Sequence, residues 1–143
     1  MIRSLAYFAS VLLIGMTVGS CSKASLSEEE LLKLLAEAVR VGPFQFQQQT
    51  WPLIENKKIV YCGPIDEVRE VGSTSLILLK VEKTSAGVQL PWSLEAKMPS
   101  PDFAQSHKAG DPICIKGNFE SYMQRDNKYR GYINVLSLEK PAP

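Results

Sequence analysis

The sequence predicts a mainly β protein, a small five-stranded barrel that follows a signal peptide and one amphipathic N-terminal helix. Three observations lead to this prediction: an apolar run at residues 5–18, a leucine-rich stretch with helical spacing, and short apolar runs separated by turn residues from Lys57 onward. We divide the chain into a signal peptide (1–20), a tether (21–26), a helix (27–41), a connecting segment (42–56) and a barrel (57–140).

The first residues have the features of an export signal. Arg3 precedes the apolar run, which is shorter than the roughly 20 residues that span a bilayer. Val18-Gly19-Ser20-Cys21 resembles the lipobox of bacterial lipoproteins, which implies acyl chains on Cys21 and a stable membrane anchor. Because Ser22 is not aspartate, the resemblance implies export to the periplasmic face of the outer membrane. Ordinary signal cleavage and an uncleaved single-span anchor remain as alternatives.

The charge balance bears on the choice of partner. The chain has 16 basic and 15 acidic residues, and loss of Arg3 with the signal peptide leaves 15 of each (16 − 1). A neutral protein has no general attraction to phosphates, so we expect nucleic acid to be disfavoured as a partner. The 123 residues left after cleavage (143 − 20) are enough for one domain.

The helix prediction depends on its cap and its apolar face. Ser27 and Glu30 form a capping box, and Gly42-Pro43 ends the helix. One face is apolar: Leu31, Leu34, Leu35, Ala38 and Val41. We expect this face to pack on the chain's own domain; binding to a partner is the alternative. The connecting segment contains an alternation at Phe44 and Phe46 that is compatible with a short strand.

Five strands are predicted after the connecting segment, at residues 58–68, 75–83, 89–98, 112–119 and 132–139. Turn residues lie at Gly72-Ser73 and Ser85-Ala86-Gly87. Residues 99–111 form a longer connection with one helical turn. The charged residues 124–128 are predicted to form a loop between the fourth and fifth strands.

Five strands with the longest insertion between the third and fourth are typical of an oligonucleotide/oligosaccharide-binding (OB) barrel. Lys58-Ile59-Val60-Tyr61-Cys62-Gly63-Pro64-Ile65 and Gly110-Asp111-Pro112-Ile113-Cys114-Ile115-Lys116-Gly117 are similar to motifs of the tRNA-anti-like OB-fold family of lipoproteins. The resemblance covers residues 25–139. Pro64 departs from the family pattern and requires an edge or a bulge, because proline cannot donate to a ladder.

Cys62 and Cys114 are an even pair once Cys21 is lipidated. Both face outward from strands that are neighbours in the OB topology, so we expect a disulfide. Two free thiols are the alternative. A redox-active pair is disfavoured because the Cys-x-x-Cys spacing of such pairs is absent.

The sequence offers little catalytic chemistry, and we predict neither an enzyme, a metal site nor a cofactor. His107 is the only histidine. It follows Ser106 directly, and we expect the two adjacent side chains not to point at each other. One histidine and a disulfide leave no transition-metal site.

The best binding candidates lie between the fourth and fifth strands, where rings and cations alternate: Tyr122, Arg125, Lys128, Tyr129 and Arg130, with Tyr132 following. Rings can stack on bases or sugars while cations contact an anionic backbone. Charged hairpin ends that only aid solubility are the alternative.

The main functional interpretation is a non-catalytic envelope lipoprotein whose module binds protein or glycan. The alternative is a binder of an anionic oligomer, an oligosaccharide or nucleic acid, through this loop. The oligomeric state stays open.

Overall fold

The structure, a computed structural model, describes residues 24–83 and 89–141. The signal peptide, Cys21 and the predicted turn at 85–87 lie outside these residues. Within the described ranges, no helix is both long enough and apolar enough to cross a bilayer.

One six-stranded sheet dominates the fold. Its strands are β1 (Ser25–Leu26), β2 (Lys58–Val71), β3 (Thr74–Lys83), β4 (Gln89–Met98), β5 (Pro112–Arg125) and β6 (Lys128–Glu139). The order is β1-β2-β3-β4-β6-β5, and a further pairing between β2 and β5 closes the sheet into a ring. The β1–β2 and β4–β6 pairs are parallel, and the others are antiparallel.

The helical part precedes the ring. It consists of α1 (Glu28–Val41), α2 (Pro43–Gln45), a π-helical turn (Phe46–Thr50) and a 3₁₀ turn (Trp51–Leu53); a short α3 (Asp102–Ser106) follows β4. The Glu30 N–H donates to the Ser27 hydroxyl at 3.1 Å, which caps α1. The buried residues of α1 are Leu31, Leu32, Leu35 and Ala38.

The core lies between α1, the helical turns and the inner face of the ring. Its centre is an aromatic cluster that we define as Phe46, Trp51, Trp92, Phe119, Tyr122 and Tyr129. Trp92 stacks on Tyr129 at 4.7 Å. Its indole N–H donates to the Leu35 carbonyl of α1 at 3.0 Å, so the only polar group of the buried Trp92 side chain has a hydrogen-bond partner.

The connecting segment differs from its prediction, because it forms helical turns where the alternation of Phe44 and Phe46 was compatible with a short strand. In a strand, Phe44 and Phe46 would share a face. In the structure Phe46 is buried and Phe44 is exposed. Gly42 has a φ of +84°, and Pro43 at the first helical position then starts a new turn. Local backbone geometry therefore overrides the alternation.

The last two strands are longer than predicted, and the predicted loop between them is wrong. β5 continues to Arg125 and β6 begins at Lys128, so only Asp126 and Asn127 remain as a turn. The added residues are mostly exposed, and only Tyr129 and Gly131 among them are buried. Because so few of these residues have a buried apolar side chain, the apolar alternation is too weak to show where the two strands end. The sequence also missed β1, which has two residues.

The predicted disulfide is confirmed. Cys62 and Cys114 pair directly across β2 and β5, with 4.0 Å between their Cα atoms. Pro64 lies opposite Pro112 in the same pairing. The pairing of β2 with β3 starts only at Ile65 and is interrupted by a bulge between Ile65 and Glu67. Pro64 thus lies outside the pairing with β3, where no backbone N–H is needed. This position suits proline, which has no N–H to donate.

Candidate binding groove at the β5–β6 hairpin

The turn between β5 and β6 positions the predicted cations. Asp126 and Asn127 have φ values of 52° and 62°. Two successive residues with positive φ are typical of a type I′ turn, whose twist matches that of the strands it joins. Arg125 therefore pairs with Lys128, and Met123 pairs with Arg130.

A groove of about 370 Å³ lies along this hairpin. We call it the hairpin groove, and its lining residues are Ser93, Met123, Arg125, Asp126, Lys128, Tyr129, Arg130 and Tyr132. Ser93 of β4 lies beside Arg130 of β6 in the parallel pairing, and Glu95 lies beside Tyr132. The groove thus joins the hairpin to the outer face of the ring.

The cations of the groove are only partly neutralised. Arg130 Nη1 lies 3.6 Å from Glu95 Oε1, and this carboxylate is 18% exposed. Arg125 Nε lies 3.9 Å from Asp126 Oδ2, but both side chains are almost fully exposed, where an ion pair contributes little. Within the described part of the chain, Lys128 has no ion pair. A negatively charged ligand would therefore meet available positive charge.

Four of the five predicted ligand-binding residues line the hairpin groove, namely Arg125, Lys128, Tyr129 and Arg130, and Tyr122 does not. The rings of both tyrosines belong to the aromatic cluster. Tyr129 is 5% exposed, and the Tyr122 hydroxyl donates to Gln47 Oε1. Burial raises the pKa of both phenols, and the neighbouring Tyr129 raises the pKa of Tyr122 further. These rings are positioned to stabilise the hairpin rather than to stack on a ligand.

Tyr132, which the sequence analysis placed beside the predicted residues, also lines the groove, whereas Ser93 and Met123 were not predicted. The alternation of β4 carried part of the signal, because inward Trp92 and Leu94 leave Ser93 on the outer face. Its neighbour on β6 could not be read from the sequence, since the parallel β4–β6 pairing joins distant parts of the chain.

A smaller depression adjoins the hairpin groove. Its volume is about 90 Å³, and its lining residues are Glu67, Arg69, Leu76, Leu78, Glu95 and Arg130. Arg130 lines both depressions. An extended ligand in the hairpin groove could therefore continue across the outer face of β3 and β4.

Ser106 and His107 do approach each other, contrary to the expectation for adjacent residues. The Ser106 Oγ lies 3.0 Å from His107 Nδ1. The same hydroxyl contacts the Asp102 carbonyl at 3.0 Å, and the imidazole stacks on Phe103 at 3.8 Å. These contacts hold the end of α3. In residues 24–83 and 89–141, no group of three or more His, Cys, Asp or Glu residues could hold a metal ion.

No family model and no curated protein matches this chain. Among the solved structures that align with it are three OB-fold proteins. Asparaginyl-tRNA synthetase from Pyrococcus horikoshii has 13% identity and a TM-score of 0.44, over 62% of this chain and 20% of the synthetase. The single-stranded DNA binding protein from Thermus aquaticus has 15% identity and a TM-score of 0.40 (62% of this chain, 41% of that protein), and the small single-stranded DNA-binding protein from Streptomyces coelicolor has 11% identity and a TM-score of 0.41 (62% and 95%). The chain thus spans about a fifth of the synthetase.

The comparison corrects one prediction. Nucleic acid was disfavoured as a partner on the ground of net charge, yet two of these OB-fold structures are single-stranded DNA-binding proteins. Net charge was a poor guide because it averages over the whole surface, whereas a ligand meets the local charge of its site. At these identities the likeness concerns the fold alone. The lipoprotein resemblance has no family match and stays a prediction.

Proposed function

We propose that this chain is a non-catalytic binding module that takes an anionic oligomer in the hairpin groove. The observation that carries the proposal is the convergence of Arg125, Lys128 and Arg130 on one exposed groove. Each cation can contact an anionic group of the ligand, and the half-buried ring of Tyr132 can stack on one base or sugar.

The local charge sets an upper limit on the strength of binding. Three cations face two carboxylates, those of Asp126 and Glu95, in or beside the groove. Three contacts to phosphates of a single strand correspond to a slope of about −2 in a plot of log K against log salt. We therefore expect moderate affinity with a clear but shallow salt dependence.

Two classes of ligand share the required chemistry, namely regularly spaced negative groups and ring faces that can pack on a tyrosine. Single-stranded nucleic acid offers phosphates and bases, and an acidic oligosaccharide offers carboxylates and sugar faces. The groove is an open trough that continues toward the smaller depression, which suits an extended chain better than a compact metabolite.

Fluorescence anisotropy with the purified full-length chain tests this proposal. Labelled oligothymidylate and a labelled acidic oligosaccharide are titrated at several salt concentrations. We expect at least one of them to bind, and the double substitution Arg125→Ala/Arg130→Ala to weaken its binding at least tenfold. Lys108→Ala/Lys116→Ala removes the same charge from residues outside the groove and should change the affinity little. Equal effects of the two double substitutions, or salt-insensitive binding, would contradict the proposal.

We also propose that Cys21 carries lipid and anchors the module at the periplasmic face of the outer membrane. Two features support this: the Val18-Gly19-Ser20-Cys21 motif, and the Cys62–Cys114 disulfide, which suits an oxidising compartment. Mass spectrometry of the mature amino terminus tests the anchor. A diacylglyceryl adduct on Cys21 is expected, and an unmodified cysteine would exclude this anchor.

A further inference from the structure

Residues 43–53 form an uncharged segment on the surface of the helical part. None of these eleven residues is charged, although 22% of the chain is. The exposed members are Pro43, Phe44, Gln45, Gln47, Gln48, Gln49, Pro52 and Leu53. Phe44 is 77% exposed and Leu53 is 53% exposed. The chain therefore presents two large apolar side chains among amides and prolines, with no charge between them.

The inner side of this uncharged segment is firmly packed. Phe46 and Trp51 belong to the aromatic cluster, and the Phe46 ring lies 5.7 Å from that of Trp92. The Phe46 N–H donates to the Gly42 carbonyl at 3.0 Å, which fixes the turn around Phe44. The exposure of Phe44 therefore follows from the backbone conformation of this hydrogen-bonded turn.

The Leu53 end of the uncharged segment lies near the point where the described chain approaches Cys21. It ends at Leu53, and the Lys57 N–H then donates to the Ile54 carbonyl at 3.0 Å. The next amide, that of Lys58, donates to the Ala24 carbonyl at 3.0 Å. The end of the segment and the start of the described chain therefore meet at the beginning of β2.

The tether is too short to separate this region from a lipid on Cys21. Only residues 21–23 precede Ala24, and three residues span at most about 11 Å when fully extended. In comparison, the 14 residues of α1 make a helix about 21 Å long. The end of the molecule that carries Ala24 must then lie against the bilayer from which the tether emerges.

We infer that the outer side of the uncharged segment rests on the lipid surface, with Phe44 and Leu53 in the interfacial layer. The inference relies on the proposed lipid at Cys21. Apolar side chains on an interfacial element enter the boundary between headgroups and acyl chains, while glutamine amides can hydrogen bond to headgroups and water. Because the segment has no charge, the contact should depend little on salt and should not require anionic lipids.

A fluorophore at Phe44 tests the inference in the full-length, lipidated chain. The Phe44→Cys variant is labelled with an environment-sensitive dye, since Cys62 and Cys114 are bonded to each other and Cys21 carries the lipid. Lys108→Cys is the matched control. Lys108 lies near Gly110, whose N–H donates to the Ile65 carbonyl of β2. Ile65 is seven residues along the strand from Lys58 (65 − 58), which bonds to Ala24, so this position is far from Ala24.

Both labelled chains are placed in phosphatidylcholine vesicles that contain a lipid with a quencher in its headgroup region. We expect blue-shifted emission and several-fold stronger quenching at position 44 than at position 108, in low and in high salt. Equal quenching at the two positions in a chain whose lipid is confirmed by mass would overturn the inference. A blue shift without lipid quenching would also overturn it, in favour of a protein occupant.

The same measurement separates this inference from the anchor itself. If mass spectrometry shows an unmodified Cys21, the anchor proposal fails. The dye is then attached with Cys21 replaced by serine, and the chain is added to the same vesicles. Quenching at position 44 would still support a lipid-binding surface, and its loss would overturn that surface as well.

Discussion

Two glycines of the closed sheet have no room for a side chain. A Cβ on Gly117 would overlap the backbone carbonyl oxygen of Asn134, and a Cβ on Gly131 would overlap the ring of Phe119. Both residues are buried in the β5–β6 pairing. These contacts, rather than backbone freedom, require glycine at the two positions.

Gly117→Ala should therefore lower the free energy of unfolding by about 2 kcal/mol or more, because the backbone itself must move. Gly63→Ala is the control, since its Cβ would meet only the Tyr61 side chain, at 3.3 Å. Urea denaturation of the two variants measures the difference. Similar losses in both variants would show that the close approach at Gly117 can relax.

The phenols of Tyr129, which is buried, and Tyr122, which is partly buried, predict a loss of stability at high pH. Burial raises the pKa of both, so the folded state holds their protons more tightly than the unfolded state does. Their contribution is complete below about pH 10, the ordinary pKa, and is lost as the pH rises through the folded values. The free energy of unfolding should fall above about pH 10, and Tyr129→Phe should make that fall smaller. Urea denaturation of the wild type and of Tyr129→Phe above about pH 10 measures this difference. An equal fall in the free energy of unfolding of both would contradict a contribution from the Tyr129 phenol.

At the scale of elements, the turn of the β5–β6 hairpin depends on residues that tolerate positive φ. Asn127 has a φ of 62°, where an alanine costs about 1 kcal/mol and a glycine costs little. We expect Asn127→Ala to destabilise the protein and Asn127→Gly to leave it unchanged or slightly more stable. Thermal unfolding of the two variants measures this. A neutral alanine would mean that the turn contributes little to the fold.

The Cys62–Cys114 bond joins β2 to β5, the pairing that closes the ring. It encloses a loop with a sequence separation of 52 residues. Closing a loop of that length in the unfolded chain is worth about 4 kcal/mol in the chain-entropy model. Replacing both cysteines by serine should lower the free energy of unfolding by a comparable amount while retaining the strand pairing. Urea denaturation and hydrogen exchange together check both parts; an unchanged stability would contradict the entropy argument.

The elements with a buried face were the predictable ones. β4 was predicted with its observed bounds, because inward Trp92 and Leu94 alternate with outward Ser93 and Glu95. In the hairpin arms beyond Phe119, Tyr129 is the one buried residue with a large side chain, and the helical turns after Gly42 depend on one backbone angle. Neither property is visible in an apolar pattern.

The candidate site was predictable to a similar extent. Charge alone indicated Arg125, Lys128 and Arg130, because exposed cations near a turn need no knowledge of the fold. Ser93 joins them only through the pairing of β4 with β6, two segments that are distant in the sequence, whereas Tyr132 follows Arg130 on the same strand. The rings of Tyr122 and Tyr129 were predicted to contact a ligand, but in the structure they belong to the aromatic cluster. Their partners Phe46 and Trp51 come from the connecting segment, where helical turns were not predicted.

At the scale of the whole molecule, the hairpin and the uncharged segment lie next to each other. Asn118 of β5 pairs with Lys58, the first residue of β2, and β5 continues past that point to Arg125. The ring of Tyr122 on this extension lies 4.7 Å from that of Trp51. If both proposals hold, the module binds its anionic oligomer close to the membrane that anchors it.

The most direct test of the hairpin groove is an NMR chemical-shift map of the isotope-labelled full-length chain, titrated with oligothymidylate and with an acidic oligosaccharide. We expect the amides of Ser93, Met123 and Arg130 to shift with the ligand that binds, those of α1 and α3 to stay in place, and the shifts to disappear in the Arg125→Ala/Arg130→Ala variant. Shifts confined to α1 or α3, or no shifts with either ligand, would contradict a binding site in the hairpin groove.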